Sequence, residues 1–206
     1  ESRWDISIEA DKKADKLITS ALRKISNIKI LSEEEEYTSN LEGLYWIIDP
    51  LDGTSNYSRN FPIACVSIAL AENDKILFGI IYDFYNDVLF EGGLNYKALM
   101  NKEQIAVSKI GTKSKGTLMT GPAKGNFNLD IEELNKWMKV RMIGSAAMSC
   151  AYVANGVADQ YQENGTFIWD IAAGAAIVQA AGGRIDMRRH ENKLKVDIVM
   201  NNGKIK

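Results

Sequence analysis

Histidine and cysteine are scarce in this sequence: its 206 residues include one histidine and two cysteines. Zinc sites in proteins are built largely from these two residue types, and a Ser-His-Asp triad requires a histidine. The histidine, His190, is surrounded by charged residues, and Cys65 and Cys150 do not form a Cys-x-x-Cys motif. A histidine-based zinc site and a serine-hydrolase triad are therefore nearly excluded, and any catalysis has to rest on carboxylates.

Long apolar runs and signal-peptide features are also lacking. No apolar stretch approaches the roughly 18 residues that a membrane-spanning helix needs, and the start of the chain does not resemble a secretory signal. Both cysteines lie within apolar stretches, which indicates buried free thiols in a reducing compartment. We therefore expect a cytoplasmic protein with no membrane partner.

An excess of positive charge is absent as well. Lysine and arginine total 25 residues against 27 aspartates and glutamates, which gives a net charge of -2 at pH 7. Nucleic-acid-binding domains usually carry clustered basic residues, so a nucleic-acid partner is not expected. The chain is 46% apolar and no linker-like segment divides it, so we expect one domain over residues 1–206.

Hydrophobic periodicity predicts helices alternating with strands, and hence an α/β fold of layered sheets and helices. The two strongest helices are residues 8–25, with Ser7 as the cap, and residues 169–181, ended by Gly182-Gly183. Shorter helices are predicted at residues 131–138 and 145–154. Strands are predicted at residues 28–31, 44–48, 117–120, 157–161, 184–187 and 196–200, with an antiparallel meander over 64–91 and polar loops from there to about residue 115.

The most informative stretch is residues 49–56, Asp-Pro-Leu-Asp-Gly-Thr-Ser-Asn. Asp49 ends an apolar strand and Asp52 follows three residues later, so both carboxylates can turn towards one point. Magnesium prefers carboxylate and carbonyl oxygens, so the Leu51 carbonyl is a natural additional ligand. A helical turn starting at Gly53-Thr54-Ser55 would place backbone N–H groups as an anion site beside the metal. The alternative is an ordinary Asx turn with a helix cap.

Two further acidic motifs follow the same logic. Residues 33–36 are four glutamates after the first predicted strand, and Asp170 lies in the first turn of a strong helix. Each has a simpler explanation, because an acidic run is commonly a solvated face and a carboxylate in the first turn favours the helix dipole. Neighbouring strand ends would nevertheless bring Glu33 or Glu34 beside Asp49, and a two-metal site requires a third carboxylate. The three motifs together favour a metal site.

These motifs carry a family resemblance. Residues 49–56, with Trp46-Ile47-Ile48 before them and Asn60-Phe61-Pro62 after them, resemble the first signature of the inositol monophosphatase family, and residues 169–183 resemble its second. The resemblance covers nearly the whole chain. It implies an α-β-α-β-α layered sandwich and magnesium-dependent, lithium-sensitive hydrolysis of a phosphate monoester by a metal-activated water, and it leads us to expect a homodimer.

The resemblance also implies roles for individual residues. Two or three magnesium ions would be held by Glu33, Asp49, the Leu51 carbonyl, Asp52 and Asp170. The phosphate would contact Asp52, Gly53 and Thr54, the catalytic residues would be Asp11, Glu33 and Thr54, and the substrate alcohol would contact Glu163 and Ala146, with Arg141 near the pocket rim.

The chain departs from the family's pattern in two places. Ser32 stands where the family usually has glycine, which leaves the choice between Glu33 and Glu34 as metal ligand open. The family also has a helix and a mobile metal-binding loop ahead of the position of Asp5, so we expect that such residues are missing before Glu1.

Several substrates are compatible with the resemblance. The alternatives are a fructose-1,6-bisphosphatase, a 3'-phosphoadenosine 5'-phosphate phosphatase and a regulatory RNA- or polymerase-associated relative. The last is disfavoured because a protein kept only for binding could lose the metal-binding carboxylates, and this sequence retains them. Glu163 lies in a predicted loop, residues 163–166, without a basic side chain. An exposed glutamate is by default merely solvated. As a pocket residue, Glu163 would accept hydrogen bonds from hydroxyls and repel a second phosphate, so we expect monophosphates of polyols or sugars to be preferred.

Overall fold

Two β-sheets and five α-helices make up the residues that the computed structural model describes, which are residues 3–35, 41–121, 130–191 and 194–206. For residues 3–8 the backbone alone is described. The glutamate run is described through Glu35, and Glu36 lies outside these ranges. No helix within them is long and apolar enough to cross a membrane.

Helix α1 (Arg3–Ile25) begins earlier than predicted, so Ser7 lies inside it and the predicted cap was wrong. The predicted apolar face was also only partly correct, because Leu17 is 73% exposed. The buried side of the helix instead carries Asp11, Asp15 and Thr19. Buried carboxylates require compensating partners, so this face of α1 is a candidate functional surface.

The first sheet contains the acidic strand ends. β1 (Lys29–Ser32) and β2 (Leu44–Asp52) pair in parallel, and the next strands follow in antiparallel order. The turns at Asn73 and Asp87 both have a φ of 53°, which confirms the predicted meander. Its strands are β3 (Cys65–Glu72), β4 (Lys75–Asp83) and β5 (Val88–Gly93).

Two more strands, β6 (Tyr96–Met100) and β7 (Glu103–Gln104), extend this sheet where polar loops were predicted. They were missed because they are short and contain a single fully buried residue between them, so they lack the apolar alternation that identifies a strand. Positive φ angles at Asn95 and Asn101 mark the turns on either side of β6.

The second sheet has the strand order β11-β12-β10-β8-β9. Its β8 agrees with the prediction, whereas β9 was not predicted and β10 begins three residues later than expected and runs through residues 163–166. The predicted loop at Glu163 was therefore wrong. The strands are β8 (Thr117–Thr120), β9 (Lys139–Arg141), β10 (Gln160–Phe167), β11 (Arg184–Arg189) and β12 (Lys195–Asn201).

The remaining helices complete the predicted layering. They are α2 (Thr54–Ser58), α3 (Ile131–Leu134), which is shorter than predicted, α4 (Ala146–Ala154) and α5 (Ile168–Ala180). Helix α5 contacts strands of both sheets and packs beside α4, while α1 packs against β2 of the first sheet and against α2. Helix α3 belongs to the crossover between the parallel strands β8 and β9. Gly182, with a φ of +89°, ends α5 as predicted.

Small residues allow α5 to lie between the sheets. A Cβ at Gly79 of β4 would come within 2.3 Å of the Ala173 carbonyl oxygen, and a Cβ at Gly174 would come within 2.2 Å of Cys150. Helix α5 is consequently buried at nearly every position from Ile168 to Val178. Cys150 and Cys65 are both buried and free, as predicted. The first turn of α5 is thereby held against the acidic end of β2.

Candidate functional site

Three carboxylates from three separate elements converge. Carboxylate oxygens of Glu33, Asp49 and Asp170 all lie within 4.8 Å of one another. The parallel pairing of β1 with β2 places Ser32 opposite Ile48, and the Glu33 amide donates to the Ile48 carbonyl at 3.2 Å. The two strand ends therefore meet, as the sequence predicted, with Glu33 in the cluster.

Asp49 lies at the centre of this group and is buried. Its Oδ1 accepts a hydrogen bond from the Leu51 amide at 3.0 Å, so the predicted Asx turn is present, whereas the following helix begins after Gly53 without the predicted side-chain cap. The pairing of β2 with β3 becomes irregular between Asp49 and Asp52. This irregularity turns the end of β2 so that both aspartates are buried near the end of the strand.

The electrostatic environment of Asp49 is strongly negative. Burial raises the pKa of Asp49 well above its ordinary value, and the nearby Asp52, Glu33, Asp170 and Asp11 raise it further. Like charges collected in a buried site make ionisation of all of them unfavourable. Cations bound among these residues would remove that cost.

Asp11 adds a carboxylate from α1. It is 5% exposed, and its Oδ1 has no hydrogen-bond partner among the described residues. Burial, followed by the charges of Glu34 and Asp15, raises the pKa of Asp11 to about 7. The neighbouring Asp15 accepts a hydrogen bond from the Ser32 hydroxyl, next to Glu33. Sequence reasoning missed Asp15, although its spacing of four residues from Asp11 places both on one helix face.

Asp52 is oriented towards α4 and is not one of the three converging carboxylates. Its Oδ2 accepts hydrogen bonds from the Ser145 hydroxyl and from the Ala147 amide at 2.8 Å, and its Oδ1 accepts one from the Ala146 amide at 3.3 Å. Burial raises the pKa of Asp52 despite these hydrogen bonds. The sequence placed Ser145 at the start of a helix but did not indicate this contact.

The chain after Asp52 turns sharply into α2. Gly53 has a φ of +89°, and a Cβ there would lie 2.9 Å from the Ile63 carbonyl oxygen, so this position requires glycine. The helical turn begins at Thr54, as predicted. The Thr54 hydroxyl donates to the Leu51 carbonyl at 2.9 Å, and that carbonyl retains a second lone pair.

Asp170 is held in the first turn of α5. Its Oδ2 accepts hydrogen bonds from the Thr166 hydroxyl at 2.8 Å and from the Phe167 amide at 3.0 Å. The predicted helix-end role is therefore correct and coexists with membership of the acidic cluster. Thr166 was missed because its position depends on how β10 enters α5.

Glu163 borders the same region from β10. The Tyr161 hydroxyl donates to its Oε2 at 2.9 Å, and its carboxylate packs over Gly121. Burial raises the pKa of Glu163 to about 7; the hydrogen bond from Tyr161 opposes this rise, and the charges of Asp170 and Asp52 add to it. Glu163 is therefore a half-buried wall of the acidic cleft rather than a solvated loop residue.

Arg141 and Ala146 differ in their relation to the cluster. Ala146 is the first residue of α4 and lies against Asp52. Arg141 pairs with Met119 at the end of the edge strand β9, and its side chain is exposed and forms no hydrogen bond or ion pair within the described part of the chain. The structure thus brings Ala146 to the site, whereas the Arg141 side chain has no hydrogen bond or ion pair there among the described residues.

Comparison with known proteins identifies the family and the fold. The model of the inositol monophosphatase family matches residues 1–203. The chain belongs to this family. It is similar to a Nus factor SuhB from Xylella fastidiosa, with 38% identity over 192 residues, which cover 89% of this chain and 70% of that protein. It is also similar to an inositol-1-monophosphatase from Synechocystis, with 35% identity over 188 residues, which cover 87% of this chain and 66% of that protein.

A solved structure of an inositol monophosphatase from Anabaena (Nostoc) has a TM-score of 0.88 and 33% identity, and covers 96% of this chain and 82% of that one. Its agreement confirms the predicted fold. The inositol monophosphatase family comprises magnesium-dependent phosphoric monoester hydrolases, and the family assignment supports that activity for this chain.

Proposed function

We propose that this chain hydrolyses phosphate monoesters of polyols or sugars, such as inositol 1-phosphate, with magnesium bound at Glu33, Asp49 and Asp170. The observation that carries the proposal is the convergence of these three carboxylates within 4.8 Å, with Asp49 buried among them. Hard oxygen ligands in such an arrangement suit magnesium.

The proposed metal set also includes the Leu51 carbonyl and Asp52, for two or three ions in total. The donor chemistry fits: the buried Oδ1 of Asp11 has no hydrogen-bond partner in the described chain, and every neighbouring charge raises the pKa of Asp49. Magnesium in this site would neutralise negative charge and lower the pKa of the attacking water.

Asp11 and Thr54 are proposed to act on that water, beside Glu33. The Thr54 hydroxyl already donates its hydrogen to the Leu51 carbonyl, so its oxygen lone pairs are directed elsewhere and can accept a hydrogen bond from water. The Asp11 carboxylate is buried and its Oδ1 has no hydrogen-bond partner in the described chain, so it is available to accept a proton from that water. In this scheme the hydroxyl orients the water and the carboxylate takes its proton.

The substrate is proposed to lie between α2 and β10. Asp52, Gly53 and Thr54 would contact the phosphate. Gly53 and Thr54 supply backbone amides, and the absence of a side chain at Gly53 leaves room for the phosphate to approach them. Ala146 and Glu163 would contact the hydroxyl groups of the alcohol. Arg141 keeps its proposed place at the rim on the family resemblance alone.

The proposed substrate preference depends on the charge of Glu163. A carboxylate there accepts hydrogen bonds from hydroxyls but repels a second phosphate, and like-charge juxtaposition costs several kcal/mol at a desolvated site. The test is kcat/KM for inositol 1-phosphate, fructose 1,6-bisphosphate and adenosine 3',5'-bisphosphate. Inositol 1-phosphate should have the highest kcat/KM in the wild type. Glu163→Gln should reduce the difference in kcat/KM between it and the bisphosphates, whereas Glu72→Gln, a control on an exposed strand position, should leave that difference unchanged. A lead of about tenfold or more by either bisphosphate, equivalent to about 1.4 kcal/mol, would contradict the assignment.

A regulatory role is the second candidate, because one similar protein is named as a Nus factor. The full set of acidic residues at the site favours catalysis, since a protein used for binding alone would have no need for the buried charges of Asp49 and Asp52. A wild-type protein that binds RNA or RNA polymerase but releases no phosphate from any of these substrates would favour this second candidate.

Three further properties are proposed from the family resemblance: inhibition by lithium, a homodimeric state and a cytoplasmic location. Lithium chloride should inhibit phosphate release more than potassium chloride at the same ionic strength, and equal effects would contradict the first. Analytical ultracentrifugation that shows a single species of twice the chain mass would support the homodimer, and a monomer at all protein concentrations would contradict it. Fractionation of the producing cells tests the third.

A further inference from the structure

Strand β10 contains a bulge between two residues of the candidate site. Glu163 pairs with Ile198 of β12, but the next regular pair joins Thr166 to Val196, so two residues of β10 face the single residue Asp197. One of these two residues, Gly165, has a φ of +69°, in the left-handed region that glycine adopts readily. A bulge of this type redirects the side chains on either side of it.

The carboxylate of Asp197 binds the backbone of this bulge. Its Oδ1 accepts a hydrogen bond from the Gly165 amide at 2.9 Å and lies 2.8 Å from His190 Nε2, while its Oδ2 accepts from Arg188 Nε at 3.2 Å and from the second nitrogen of the same guanidinium. The side chain of Asp197 is 18% exposed. Hydrogen bonding from Arg188 lowers the pKa of Asp197 to about 2, so it is a charged acceptor at neutral pH.

The two site carboxylates beside the bulge are held by unequal numbers of side-chain hydrogen bonds. Both flanks of the bulge pair with β12, through Glu163 and Thr166. The Asp170 carboxylate receives two hydrogen bonds within the first turn of α5, whereas the Glu163 carboxylate receives one, from Tyr161, within the described residues. Loosening the bulge would therefore affect Glu163 more than Asp170.

We propose that Asp197 is a positioning residue for substrate specificity, which by binding the Gly165 amide fixes the bulge that directs the Glu163 carboxylate towards the hydroxyl groups of the substrate. The inference rests on the proposed function, in which Glu163 contacts the alcohol. Loss of the Asp197 carboxylate should then weaken binding of hydroxyl-bearing substrates and leave the chemical step and the magnesium requirement intact.

The experiment compares Asp197→Ala with Asp186→Ala, a control that removes an exposed aspartate from the neighbouring strand β11. Amide hydrogen exchange at Gly165, measured by NMR, reports the bulge itself, and in Asp197→Ala it should accelerate by about tenfold or more. For the same variant, KM for inositol 1-phosphate should rise by about fivefold or more, with kcat unchanged. KM for p-nitrophenyl phosphate, which lacks hydroxyl groups on its alcohol, should not change.

Two further variants keep the test decisive. Arg188 is 81% exposed, so Arg188→Ala leaves the core untouched; it should raise KM for inositol 1-phosphate in the same direction by about twofold, even if Asp197→Ala fails to fold. In a Glu163→Gln background, the Asp197 substitution should cause no further loss, because both act through one contact.

Unchanged exchange at Gly165 would overturn the role of Asp197 in holding the bulge. Faster exchange with an unchanged KM for inositol 1-phosphate, or an equal rise for p-nitrophenyl phosphate, would overturn the role in specificity. Absence of phosphate release from the wild type would instead overturn the proposed function, and Gly165 exchange would still decide whether Asp197 holds the bulge.

Discussion

The Ser32 hydroxyl donates a hydrogen bond to the Asp15 carboxylate at 2.5 Å, and both residues are buried. The bond joins the end of β1, directly before Glu33, to α1 one turn after Asp11. Two elements that carry acidic site residues are thereby fixed relative to each other.

Replacement of Ser32 by alanine should destabilise the protein and weaken metal binding. Loss of the donor leaves Asp15 buried with one partner fewer, which costs about 1–3 kcal/mol in the free energy of unfolding. Urea unfolding measures that loss, and a magnesium titration of activity should show a higher half-saturating concentration because Glu33 is less well positioned. Ser20→Ala, on the exposed side of α1, is the control. Equal urea midpoints for Ser32→Ala and the control would contradict the role of this bond.

The metal-free protein should lose stability as the pH rises. The pKa of Asp11 is raised from 3.8 to about 7, and that of Glu163 from 4.5 to about 7. Carboxyl groups with a raised folded-state pKa contribute stability that is present in full below the unfolded pKa and is lost as the pH rises through the folded value. In EDTA, the melting temperature should therefore fall between about pH 4 and about pH 7.

Two comparisons identify the groups responsible for this pH dependence. Asp11→Asn should show a smaller decrease in melting temperature with pH, because the amide does not ionise. Saturating magnesium should also make this decrease smaller in the wild type, because it stabilises the charged form of the carboxylates. Groups with a lowered pKa, such as Asp197 at about 2, stop contributing to the stability of the folded state only below about pH 4. A melting temperature that rises across the range in EDTA would contradict the prediction.

Removal of the Thr54 hydroxyl should slow the chemical step. Thr54→Ala removes the group proposed to orient the attacking water, and the loss in kcat should lie in the range of about 10²–10⁴-fold for a proton-transfer role. Thr54→Ser retains the hydroxyl and should recover most of the activity. Magnesium affinity should be nearly unchanged in both variants. Full turnover in Thr54→Ala would remove this residue from the mechanism.

Local sequence patterns identified the parts of the site that depend on neighbouring strand ends. Glu33 and Asp49 each follow an apolar strand, and the parallel pairing of β1 and β2 was enough to bring them together. Asp170 could be placed in the first turn of a helix because the apolar run after it is long and ends at Gly182. These features are encoded within short stretches of chain.

The rest of the site depends on contacts between segments distant in sequence. The bonds from Asp52 to Ser145 and Ala147 join positions more than 90 residues apart, so local patterns do not reveal them. The edge strand β9 is short and largely exposed, and therefore lacks a periodic signal. Residues 163–166 were predicted to be a loop, but they lie within β10, where Gly165 is part of a bulge.

The most direct test of the account is release of inorganic phosphate from inositol 1-phosphate over a magnesium titration, with wild type, Asp49→Asn and the exposed control Asp186→Asn. We predict saturable, magnesium-dependent release by the wild type and the control, abolished by EDTA. Asp49→Asn should lose activity by about 10²-fold or more while retaining its circular dichroism spectrum, because the amide is a poor substitute for a carboxylate ligand of magnesium. Magnesium-independent release, or near wild-type turnover by a folded Asp49→Asn, would contradict the account.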